Sequence, residues 1–99
     1  MPGNNVRWYV SARKQFLSAL EYIRTDSVQN AEKFYDKLFL KLEIVSKNPV
    51  SCAPEKFKVA NDGSYRVFTL YKYRVSYRVK GDEIRIVRFR HSSMKPRYF

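Results

Sequence analysis

Several chemistries are scarce in this sequence. There is one cysteine, Cys52, and one histidine, His91, in 99 residues. A lone thiol cannot close an internal disulfide, and without a second cysteine or a histidine cluster no zinc site of the usual N/S kind assembles. No metal and no cofactor is therefore expected. No stretch approaches the roughly 18 apolar residues that span a bilayer, and the opening MPGNNVRWYV holds no apolar run of signal-peptide type. The expectation is a cytoplasmic protein with no membrane role. Repeats and low-complexity segments are missing as well. Acid is the scarcest charge: nine Asp+Glu stand against twenty Lys+Arg, a formal net charge of +11 at pH 7. Such a density repels itself unless it serves an anionic partner, which points to nucleic acid or an acidic protein.

What is present suffices for a core. Hydrophobic residues make up 44% and aromatics 16%, and the eight tyrosines and seven phenylalanines bury large areas when packed. Residues 1–99 are read as a single domain, because a second core would need more chain than this.

Val6, Trp8 and Val10 alternate with Arg7 and Tyr9, the period of a short strand. Ser11 is placed as the N-cap of a helix carrying Ala12, Phe16, Ala19, Leu20 and Ile23 at helical spacing. After Asp26 and Ser27, the residues Ala31, Phe34, Leu38, Leu42 and Val45 mark one face of a second helix, which Asn48 and Pro49 end. A short joint between two such helices folds them into an antiparallel hairpin. The stretch PVSCAPEKFKVANDG, residues 49–63, has two prolines and a turn signal and reads as a loop or irregular edge.

From Tyr65 the period becomes two. Residues 65–70 form one strand, residues 71–80 alternate without a break, and Gly81-Asp82 makes a two-residue hairpin turn with glycine first. The fold class is α+β: an N-terminal strand, the helix hairpin, then a three-stranded antiparallel sheet. An unbroken register across that turn sets Val79 opposite Ile84, Tyr77 opposite Ile86, Val75 opposite Arg88 and Tyr73 opposite Arg90. On the other face it sets Arg78 opposite Arg85, Arg74 opposite Phe89 and Lys72 opposite His91. Opposed like charges destabilise a sheet unless water or an anion screens them. In this register His91 shares the face of Arg74, and Arg90 points away.

The order of strand, helix hairpin, Pro-containing loop, three strands and a histidine after an arginine-rich strand resembles the RelE/ParE superfamily of bacterial toxins, over about residues 6 to 96. The pieces that carry the likeness are Ala12 with Phe16, Ala31-Glu32-Lys33-Phe34, Asn48-Pro49, Tyr73-Arg74-Val75-Ser76-Tyr77-Arg78-Val79, and the strand from Ile84 to His91. The resemblance implies the toxin of a type II toxin–antitoxin (plasmid stabilization) system, held silent by an acidic cognate antitoxin. RelE-like members cut mRNA in the ribosome, YoeB-like members use a glutamate and a histidine as base and acid, and ParE-like members poison DNA gyrase without hydrolysis. The sequence-level expectation is a ribosome-dependent mRNA endoribonuclease; the alternatives are a gyrase inhibitor, a plain nucleic-acid-binding module and a degenerate toxin.

Carried over by position, the resemblance assigns Glu55, Arg74 and His91 to catalysis. RNA contact falls to Arg66, Lys72, Arg78, Arg85, Arg90, Lys95 and Tyr98. Phe68 stands where RelE-like members have a second basic residue on the strand, so that pair is incomplete here. Attack by a 2′-OH needs a base, a cation on the phosphate and an acid for the leaving oxygen. Glu55 is the candidate base, Arg74 the phosphate clamp through its planar fork, and His91 the acid. Tyr98 is a candidate for stacking a base.

Overall fold

The computed structural model describes residues 5–99. Its elements run β1 (Val6–Trp8), α1 (Val10–Asp26), α2 (Val28–Lys47), a 3-10 turn (Pro49–Ser51), β2 (Ala53–Pro54), β3 (Tyr65–Leu70), β4 (Tyr73–Lys80) and β5 (Glu83–His91). The strands form one sheet in the order β1-β5-β4-β3-β2, with β1 parallel to β5 and every other pair antiparallel. The α+β class and the helix hairpin are as expected, and β2 brings the sheet to five strands. That strand is two residues long and half proline, too short to have a period and unable to donate fully to a ladder.

α1 starts two residues earlier than the sequence indicates. Tyr9, in extended conformation, is its N-cap and offers no side-chain bond, so Ser11 lies inside the first turn. α2 is capped as its sequence suggests: the Ser27 hydroxyl accepts from the Asn30 N–H at 3.1 Å. Both helices cover one face of the sheet. Phe16, Phe34, Leu38, Leu42 and Val45 meet Phe68, Val75, Tyr77, Ile84, Ile86 and Phe89 in a continuous core. The Tyr77 phenol, whose pKa burial pushes up, donates to the Pro49 carbonyl at 2.5 Å and ties the end of α2 to the sheet.

The β4–β5 register departs from the unbroken one. Gly81, at φ +61°, opens the turn as predicted, and Val79–Ile84, Arg78–Arg85 and Tyr77–Ile86 are opposite one another. A bulge then adds Val87 to β5, so that Ser76 faces Arg88, Val75 faces Phe89, Arg74 faces Arg90 and Tyr73 faces His91. The helix-covered face therefore stays apolar through Phe89. Arg88 and Arg90 move to the opposite face, beside Arg74, and His91 goes to the helix side with Tyr73. The bulge sits where β1 runs out: past Ile86 the outer edge of β5 loses its strand partner, and the Gln15 side chain of α1 accepts from the Phe89 N–H at 2.9 Å instead.

Candidate functional site

The loop between β2 and β3 is organised by side chains rather than by a ladder. Asn61 uses both ends of its amide: its Nδ2 donates to the Glu55 carbonyl at 3.2 Å and the Tyr65 carbonyl at 2.9 Å, and its Oδ1 accepts from the N–H groups of Gly63 and Tyr65. This holds Glu55 inward against the face of the sheet that the helices leave free. The residue is 2% exposed. Its Oε1 accepts from the Arg74 guanidinium at 2.7 Å and the Phe57 N–H at 3.1 Å, and its Oε2 accepts from the Ser76 hydroxyl. Ser76 is itself buried, so the Glu55 carboxylate gives a partner to two groups of β4 that would otherwise lack one.

A cavity of about 280 Å³ opens beside this pair, with Glu55, Arg74, Arg88, Arg90, His91 and Arg97 in its wall. Five cations, counting Lys56, face one carboxylate there. Burial, and after it the charge of Arg90, holds the Arg88 guanidinium below its ordinary pKa. The C-terminal tail closes one side. Arg88 donates to the Arg97 carbonyl at 2.7 Å and lies 4.3 Å from the Phe99 ring, Arg90 donates to the Lys95 carbonyl at 3.2 Å, and Phe99 is bonded to the backbone of Phe57 and Val59. Main-chain carbonyls thus stand where anions would be the stronger acceptors.

The structure brings Glu55, Arg74, Arg90 and His91 to one cavity and leaves the other sequence candidates elsewhere. Arg66 turns to the helix side, opposite Tyr77, and donates to the carbonyls of Val50, Cys52 and Gly63. Arg78 stacks on Tyr65 at 5.1 Å. Arg85 is opposite both Arg7 and Arg78, and Glu83 screens that row by pairing with Arg85 at 2.7 Å and Arg7 at 3.9 Å. Lys72 lies in the β3–β4 turn and Lys95 in the exposed tail. Tyr98 is exposed and meets Phe57 edge-on. His91 meets Tyr73 edge-on at 5.0 Å, and its Nδ1 accepts from the Ser93 N–H at 3.0 Å.

Sequence reasoning missed Arg88, Ser76 and Phe57 as members of this site. The signal for Arg88 was present: Ile86-Val87 are two apolar residues in succession, a break of phase that marks the bulge. Ser76 and Phe57 carry no such signal, because their parts depend on the loop that folds Glu55 inward.

A family model described as ParE toxin of type II toxin-antitoxin system, parDE, matches residues 6–96. No curated protein matches the chain. Among solved structures, one described as the chromosomal ParDE TA system from P. aeruginosa is similar in fold, with a TM-score of 0.65 at 19% identity over 88% of this chain and 94% of that one. No helix among the described residues is long and apolar enough to cross a membrane. With its family model matched from β1 through the tail that follows β5, the chain belongs to the ParE toxins of type II toxin–antitoxin systems.

Proposed function

We propose that this toxin acts on DNA gyrase by binding, without a hydrolytic step, and that an acidic antitoxin keeps it silent. The carrying observation is the state of Glu55: both carboxylate oxygens already accept, from Arg74, Phe57 N–H and Ser76. A general base needs a lone pair within hydrogen-bond reach of the hydroxyl it deprotonates, and the one acceptor site that three donors leave on Glu55 belongs to a residue only 2% exposed. Glu55 instead serves as the counter-ion that holds Arg74 and the loop in place. His91, the only histidine, stands opposite Tyr73 on the helix-covered side, while Arg74 stands on the other. His91 lines the same cavity as Glu55 from the end of β5, but its ring lies edge-on to Tyr73 and its Nδ1 accepts from Ser93, and no hydrogen bond among the described residues joins it to Glu55 or Arg74.

The contact surface in this reading is the free face with Arg74, Arg88, Arg90 and Arg97, whose charge complements an acidic protein surface. The net +11 charge supports both an acidic antitoxin and an acidic target. Family membership adds weight, since the gyrase-directed branch of the RelE/ParE resemblance is the one without catalytic residues.

One observation favours a second reading. Arg74 and Arg90 are directly opposite each other in a cavity of about 280 Å³ that has room for a phosphate. This arrangement supports ribosome-dependent mRNA cleavage with the two arginines as the clamp. Incubation of the wild-type toxin with programmed ribosomes under single-turnover conditions separates the two. The gyrase reading expects intact message; a cut that depends on His91 supports the nuclease.

A further inference from the structure

A second cavity, of about 540 Å³, lies on the helix side of the sheet, between the end of α1, the start of α2 and the β3–β4 turn. Its wall is aromatic and cationic: Tyr22, Phe34, Tyr71 and Tyr73 with Lys33 and Lys72. His91 and Asn30 complete its polar lining, and no described acidic side chain takes part. Phe34 is 1% exposed and closes the inner end, whereas Tyr22 and Tyr71 are 75% and 58% exposed at the mouth. Lys37 adds a further ammonium 5.7 Å from the Tyr71 ring.

Tyr71 is an unusual choice for its position. It has φ +53°, in the left-handed region, in a two-residue turn between the paired Leu70 and Tyr73. Glycine or asparagine adopts that conformation with little strain, and a bulky side chain does not. The ring it carries is placed 5.8 Å from Phe34, over the cavity, and is left mostly in water. Strain retained for an exposed ring is what a binding surface needs and a folding core does not.

We propose that this cavity receives an aromatic side chain from an acidic peptide segment of a protein partner. Tyrosine-rich walls around an apolar pocket are the usual seat of an anchor residue. Lys33, Lys37 and Lys72, none of them in an ion pair among the described residues, select carboxylates on either side of that anchor. A nucleic-acid base fits less well, because its several polar edge atoms outnumber the partners that Asn30 and His91 offer beside Phe34 and Ile23, and the rest would lose their hydrogen bonds on entry. The site lies on the side of the sheet away from Arg74 and Arg88, so it goes beyond the choice of enzyme target made above.

The test is an NMR titration of the intact ¹⁵N-labelled protein with acetyl-Glu-Asp-Trp-Asp-Glu-amide. The controls are the same peptide with alanine for tryptophan, a lysine-flanked tryptophan peptide, and hexathymidylate. The acidic tryptophan peptide shifts the amides of Lys33, Tyr71 and Lys72 and binds at least about tenfold tighter than either control peptide, the scale of a buried anchor. Tyr71→Gly, which relieves the positive φ, keeps a thermal midpoint near wild type and loses that preference. Lys33→Glu with Lys72→Glu, both exposed positions, loses the preference for acidic flanks. Equal binding of the tryptophan and alanine peptides overturns the proposal. So does an unchanged preference in Tyr71→Gly or in the double lysine variant. Hexathymidylate shifting the same amides and displacing the peptide overturns it in favour of nucleic acid.

Discussion

Arg74 and Arg90 stand directly opposite each other on β4 and β5, with the Glu55 carboxylate 2.7 Å from Arg74 and no carboxylate among the described residues paired with Arg90. Like charges directly opposed on a sheet cost stability, and in this protein Arg88 and Arg97 border the same cavity. An added anion should therefore stabilise the fold. Sulfate, compared with chloride at equal ionic strength, raises the thermal midpoint of the wild type. At about ten times its Kd a ligand contributes about 1.4 kcal/mol, and each kcal/mol is worth about 4–8 °C in a domain of this size. Arg90→Gln should lose most of the sulfate effect, and Lys41→Ala none of it.

Glu55 is the second point of attack. Breaking a buried ion pair by removing one partner costs about 3–5 kcal/mol. Arg74 keeps 25% of its side chain in water, so a cost just below that range, about 2–3 kcal/mol, applies to Glu55→Ala. Urea unfolding measures it. Glu55→Ala combined with Arg74→Met should cost clearly less than the two single changes added together, because neither is then left with a charge unpaired.

The Gln15 side chain replaces a missing strand at the Phe89 N–H. Phe89 is 2% exposed, so Gln15→Ala leaves a buried donor without an acceptor, at about 1–3 kcal/mol. Hydrogen exchange at the Phe89 amide should accelerate selectively. Gln15→Glu, which keeps an acceptor oxygen, should leave that amide close to its wild-type rate.

Glu83 links β1 to β5. The hydrogen bond from Arg85, with the charges of Arg85, Arg7 and Lys80, lowers its pKa below the ordinary 4.5. A depressed folded-state value means that its contribution is present above the unfolded pKa and is lost as pH falls through the folded one. Amides paired between β1 and β5 should lose protection as pH falls below about 4.5, the ordinary value, and Glu83→Gln should remove that dependence without affecting β3. Two-dimensional exchange spectra at a series of pH values report both strands.

Much of this molecule is legible in its sequence where a period exists. Phe16, Phe34, Leu38, Leu42 and Val45 announce the buried faces of both helices, and Gly81-Asp82 announces the hairpin turn. The site is less legible, because it depends on breaks of period. One extra residue, Val87, moves Arg88 and Arg90 from the core face to the free face and His91 away from Arg74. The inward turn of Glu55 rests on Asn61 and on Ser76, contacts between a loop and a strand that no local pattern encodes. β2, two residues with a proline, has no period to read.

Gyrase supercoiling of relaxed plasmid, with purified toxin added in increasing amounts, separates inhibition by binding from hydrolysis. Supercoiling should stop when toxin and gyrase are near equal concentration, and His91→Gln should inhibit as well as the wild type. Supercoiling that continues at about a hundredfold excess of toxin, together with mRNA cleavage on ribosomes that His91→Gln slows by about 10²-fold or more, the scale of a lost general acid, would contradict inhibition by binding.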